Sequence, residues 1–210
     1  MPDVTLTVEG VSYGGWKSVT VSRGLDQLAG SFEIGVSERW PDMQVLRKIA
    51  PGDRCVLALD STVMITGHVD DVSMDYSNDA HTITVTGRDA AADLVDCSAI
   101  YKTGKWTDRK MEQIARDLCA PFGIAVSVET DTGATVSSWQ IQEGETVFEC
   151  LERLSRDRGV LLVSDGRGGM AITRASKTRI STSIVRGENV LSASGSLSFM
   201  DRFSQYVVKG

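Results

Sequence analysis

Two histidines in 210 residues bound the acid–base and metal chemistry open to this chain. His68 stands in Gly67-His68-Val69-Asp70-Asp71, where a carboxylate could orient an imidazole as a base or join it on a metal. Strand alternation puts Asp70 on the side of His68 and turns Asp71 away. No second His or Cys follows at ligand spacing, so a strand-end histidine is the reading preferred. His81 opens a strand after a polar turn and has no companion either. A serine nucleophile needs a base and a Gly-x-Ser-x-Gly elbow; Ser194-Gly195-Ser196 offers neither and reads as a turn. Gly14-Gly15 and Gly166-Arg167-Gly168-Gly169 lack the Lys-Ser/Thr of a phosphate-cradling loop. Glu143 and Glu145 could form a carboxylate pair, but they flank the start of a helix, where acidic groups meet the positive end of the dipole. The expectation is no catalytic residue, no cofactor, no metal and no enzymatic activity.

The four cysteines, Cys55, Cys97, Cys119 and Cys150, are widely separated and form no CxxC pair. They are expected to be buried thiols acting as small apolar residues. Lys and Arg number 22 against 28 Asp and Glu, a net charge of −6. An acidic chain with no basic run has no electrostatic footprint for a phosphate backbone, so specific nucleic-acid binding is excluded. No secretory signal opens the chain and its apolar runs are too short to cross a bilayer, so no stable membrane insertion and a cytoplasmic origin are expected. Hydrophobic residues make up 41% of the sequence, enough for a real core. Twenty glycines against four prolines promise many tight turns.

Period-two alternation sets out the elements. Strands are expected at residues 4–8, 16–22, 31–36, 54–60, 63–69, 70–76 and 81–87, closed by a short helix over 89–95. Beyond residue 100 the period changes. Met111, Ile114, Ala115, Leu118 and Phe122 lie on one helical face over 108–122, with Gly123 as the C-cap. A second helix spans 145–158 and stops at Gly159. Strands are expected at 124–128, 136–141, 160–164 and 170–174, the last two joined by an Asp165-Gly166 reversal. The fold class is therefore α+β, mostly β. An N-terminal antiparallel barrel-like domain covers residues 1–100, a small two-helix α+β domain 101–175, and strands of an incomplete further barrel, or a return to the first, 176–210. The apolar segment 202–210 reads as a strand with no partner after it, and truncation is favoured over a return to the first domain.

One stretch suggests a ligand. Ile141-Gln142-Glu143-Gly144-Glu145-Thr146-Val147 followed by a helix is similar to the opening of a LysM peptidoglycan-binding motif. The second helix and strand order of that motif do not follow, so glycan binding or wall degradation is the alternative.

Taken together and in order, other segments resemble the baseplate hub proteins of Mu-like contractile-tail phages and prophages. They are Gly15-Trp16, Arg23-Gly24-Leu25, Glu38-Arg39-Trp40-Pro41, Pro51-Gly52-Asp53, Ile65-Thr66-Gly67-His68-Val69-Asp70 and Gly87-Arg88-Asp89. Asp93-Leu94-Val95-Asp96-Cys97-Ser98, residues 144–154, Arg186-Gly187-Glu188-Asn189-Val190-Leu191 and residues 202–210 complete the set. The resemblance implies a structural hub in the virion tail baseplate, assembled in the host bacterial cytoplasm. It further implies a homotrimeric ring that links the membrane-piercing spike to the tail tube, with spike, tube and wedge proteins as partners. DNA would pass through the ring without binding, part of the acidic surplus lining the channel. Hubs of related contractile injection or secretion systems share this architecture.

Overall fold

The computed structural model describes residues 3–37, 49–76, 81–190, 192–200 and 202–207. The chain forms two compact units, Met1–Ala175 and Ser176–Gly210.

The first unit begins with a seven-stranded sheet. Its strands are β1 (Val4–Val8), β2 (Val11–Tyr13), β3 (Ser18–Ser22), β4 (Ser31–Ser37), β5 (Arg54–Leu59), β6 (Thr62–Tyr76) and β7 (His81–Asp89). The spatial order is β2-β1-β5-β6-β7-β4-β3, antiparallel throughout. Inward side chains alternate as the sequence requires: Leu6 and Val8, Phe32, Ile34 and Val36, Cys55 and Leu57, Ile65 and Val69, and Val85 make one core. Tyr13 of edge strand β2 and Val19 of edge strand β3 pack on that same core, so the sheet curls around it. This is the barrel-like form expected; among the described residues no ladder joins β2 to β3. Residues 63–76, read as two strands, are one strand with a bulge at Asp70. The bulge lets a long strand bend without ending. The segment Glu38-Arg39-Trp40-Pro41 lies outside the described residues.

A second core follows. It holds α1 (Ala92–Asp96), β8 (Lys105–Arg109), α2 (Met111–Cys119), a short 3-10 turn (Ala120–Phe122), β9 (Val126–Val128), β10 (Val136–Gln140), α3 (Val147–Arg158), β11 (Leu161–Ser164) and β12 (Met170–Thr173). Met111, Ile114, Ala115 and Leu118 on α2 meet Val147, Leu151 and Leu154 on α3 and Ile172 on β12 in one apolar cluster. Gly123 and Gly159 end their turns with φ of 69° and 60°, the left-handed conformation glycine adopts without a Cβ penalty. The helix expected over 108–122 starts later, because residues 105–109 pair with β10 as β8. Also unexpected, β9 runs parallel to β12 beside the antiparallel β11–β12 hairpin.

In the second unit the described β pairing is a single bridge, Arg186 to Val190. The Asn189 side chain ties the loop, donating to Ser183 O at 2.7 Å and accepting from Val185 N at 2.8 Å. The strands expected beyond residue 176 are represented among the described residues by that bridge alone. Ile180, Ile184, Leu197, Phe199 and Met200 are exposed.

Candidate assembly surfaces

The residues singled out for chemistry are accounted for by structure. His68 lies in register between Arg54 on β5 and Arg88 on β7. Asp70, its expected companion, is taken by Arg88, which also reaches Asp96 (2.7 and 2.8 Å). The backbone of His81 opens β7, as expected. Ser194-Gly195-Ser196 is exposed and outside regular structure. A Cβ on Gly166 would meet Met64 O at 2.7 Å and the Arg23 guanidinium at 2.9 Å. The glycine turn thus presses on β6 rather than cradling a ligand.

The LysM-like stretch is a helix start. Gly144 has φ of 78°, and Thr146 caps α3. Its hydroxyl accepts from Glu149 N at 3.2 Å, while the Glu149 carboxylate accepts from Thr146 N at 2.8 Å. Glu145 takes two hydrogen bonds from Arg153, at 2.9 and 3.0 Å. Burial would raise the Glu145 carboxyl, but the hydrogen bonds from Arg153 and Gln142 N, with the Arg153 charge, together hold it below the usual range. The Arg153 guanidinium lies 4.0 Å from the Trp139 ring centre and also donates to Gln140 O. The strands flanking α3 pair elsewhere, β10 with β8 and β11 with β12. Capping thus accounts for the residues shared with that motif.

Where the sheet meets the second core, Asp89 is 1% exposed. Its carboxylate accepts from Ala91 N at 3.0 Å and from the Ser164 hydroxyl at 2.7 Å. Arg23 donates to Ser164 O at 2.8 Å. Burial raises the Asp89 carboxyl, while these hydrogen bonds and the charge of Arg23 oppose the rise. Leu28, from the β3–β4 connection, is buried in the second core. Gly67 is fixed by space: a Cβ there would collide with Arg88 O and sit 2.7 Å from Ala90 N. Sequence reasoning foresaw Asp89 as a cap for the turn after it; its bond to Ser164 joins residues 75 apart and had no local signal.

Among the described residues, two surfaces of the first sheet stand open. Edge strand β3, Ser18-Val19-Thr20-Val21-Ser22, is itself uncharged and β-prone, with Lys17 and Arg23 at its two ends. The outward face of β3, β4, β7 and the far half of β6 is a field of hydroxyls and carboxylates. Ser18, Thr20 and Ser22 lie beside Glu33; Thr82, Thr84 and Thr86 follow; Asp71, Ser73 and Asp75 end the row. Arg88, at the margin, is neutralised by its two aspartates. The alternating Ser/Thr pattern was visible in the sequence, but only the register gathers it on one face.

A curled antiparallel sheet joined to a small α+β element is a build that this chain shares with phage tail proteins. Residues 3–89 match the family described as Mu phage baseplate assembly protein GpP-like, N-terminal, and residues 91–174 match baseplate hub protein gp44-like, second domain. The chain is thus similar to baseplate hub proteins of Mu-like phages. It is 41% identical over 210 residues to baseplate hub protein gp44 of Escherichia phage Mu, spanning 99% of this chain and 55% of that protein. It is similar to the 43 kDa tail protein of prophage MuSo2 from Shewanella oneidensis, with 40% identity and a TM-score of 0.82 over 90% of this chain and 59% of that one. The tail protein of Neisseria meningitidis MC58 shares the fold at 23% identity and a TM-score of 0.70, over 81% and 50% of the two chains. The chain thus spans little more than half the length of the relatives it matches.

Proposed function

We propose that this chain is a non-enzymatic structural component of a contractile-tail baseplate hub, working in the virion. In this reading it assembles as a homotrimer that joins the spike to the tail tube and meets the baseplate wedge. The observation that carries the reading is likeness to a phage Mu hub protein across nearly the whole chain. The open β3 edge supports assembly through strand pairing, since an exposed, uncharged edge is a template for another chain. The three-part division at about residues 100 and 175 belongs to the same proposal, with two separate apolar clusters in favour of the first boundary.

The hydroxyl and carboxylate face gives the channel idea a surface. Glu33, Asp71 and Asp75 carry negative charge among Ser and Thr, and the one arginine at the margin is paired. Such a wall repels a polyanion without offering it a donor-rich grip.

Co-sedimentation with the tail tube and spike proteins of the same phage tests the function. Binding to both is expected. Retention on peptidoglycan with neither partner bound would overturn it in favour of wall recognition.

A further inference from the structure

We propose that β8 is a docking edge for an acidic, extended polypeptide segment. Residues 1–175 are acidic overall, with seventeen Lys and Arg against twenty-six Asp and Glu. Within them Lys102, Lys105, Arg109 and Lys110 crowd into nine positions, all exposed. Among the described residues the ion pairing of these four is limited to Lys110 with Glu112, at 3.8 Å. Asp108 intervenes, yet the stretch stays clearly cationic.

The backbone beneath this charge is a strand with an open side. β8 pairs with β10 alone, Lys105 opposite Gln140, Thr107 opposite Ser138 and Arg109 opposite Val136. Among the described residues the sheet these two make has no third strand. A two-stranded ribbon left by itself is marginal in water, but this one is anchored from below. Trp106 and Trp139 are directly paired and buried. The Trp106 indole donates to Asp117 at 2.9 Å, and Tyr101 stacks on the Trp106 ring at 4.3 Å. The outer edge is therefore held in strand conformation from Lys105 to Thr107, before Asp108 turns left-handed (φ 49°). The Lys105 carbonyl also accepts from the Thr103 hydroxyl at 3.5 Å, and no ladder among the described residues claims this side.

Lys105, Thr107 and Arg109 are exposed while Trp106 between them is buried, so a cation stands at each end of the strand. A segment with carboxylates at every second position would set them across from these cations while its backbone extended the sheet. Opposite charges facing across strands stabilise a pair by about 0.2–1 kcal/mol each, and the main-chain bonds supply the rest. A nucleic acid could meet the charge but cannot match the two-residue repeat of backbone donors and acceptors, and the acidic surroundings repel it. The geometry therefore favours a peptide. The proposal is independent of the hub reading.

The test uses the full chain and a labelled short peptide of alternating glutamate and threonine, with binding read by fluorescence anisotropy. Saturable binding is expected. It should fall at least ~tenfold, or about 1.4 kcal/mol, in a Lys105→Glu/Arg109→Glu variant and stay unchanged in a Lys177→Glu/Arg179→Glu control. A peptide N-methylated at alternate residues keeps its charge and loses edge hydrogen bonds; against the unaltered chain it should bind at least ~tenfold more weakly. Absence of binding overturns the proposal, as does equal binding of the N-methylated peptide. Oligothymidylate binding as tightly as the peptide would mean a generic anion site, and glutamate peptide driving self-association would mean that a second copy is the occupant; either result also overturns it.

Discussion

Cys97 is exposed while Cys55, Cys119 and Cys150 are buried, which departs from the uniform burial expected of all four. Burial pushes the Cys55 and Cys119 thiols up to about 12 and the Cys150 thiol up to about 11, so all three are neutral at pH 8 and shielded. A thiol reagent at that pH is expected to label Cys97 alone, the other three reacting only on unfolding; mass spectrometry of the modified chain checks this. Arg153 is a second test at this scale. It joins Glu145, Gln140 O and the Trp139 ring, and the Glu145 side chain it neutralises is only 8% exposed. Arg153→Met keeps the aliphatic stem and leaves that carboxylate unpaired, so a loss of about 2–4 kcal/mol is expected in urea unfolding.

At the level of elements, the Asp89–Ser164–Arg23 contact fixes the β11–β12 hairpin to the end of β7. Burial raises the Asp89 carboxyl, so folding favours its protonated form. That contribution is complete below the unfolded value near ~3.9 and is lost as pH rises through the raised folded value. Asp89→Asn lacks this titration. Between pH 4 and 7 the stability of the wild type should therefore decline relative to the variant in parallel denaturant titrations; a constant difference would contradict the account. These elements also show what a sequence can reveal. Apart from the three-residue β2, which had no expectation, and β6, which was read as two, the strands of the first sheet were legible because each buries one face, and alternation such as Phe32-Ile34-Val36 reports it directly. The two main helices were legible from their apolar stripes and glycine stops. β8 was not, because Lys105-Trp106-Thr107-Asp108-Arg109 carries one inward apolar residue, and its strand character comes from pairing with Trp139 far along the chain. The parallel placement of β9 was hidden likewise, since register across a crossover leaves no local periodicity. Of the proposed assembly surfaces, the β3 edge and the hydroxyl pattern were in plain sight, but their position at a sheet margin and on a shared face came from topology.

For the whole molecule the question is what the open β3 edge meets. An edge of this composition either aggregates or pairs by design. Thr20, exposed on the outward face of β3 and in register with Glu33, can be replaced by lysine with little cost to the sheet, and a charge at that point blunts edge pairing. Thr20→Lys is expected to keep the melting temperature within a few degrees while abolishing self-association in analytical ultracentrifugation. The mass of the unaltered chain in solution, measured by multi-angle light scattering across a concentration series, tests the assembly most directly. A particle of three chains is expected; a monomer that persists at the highest concentration would contradict it.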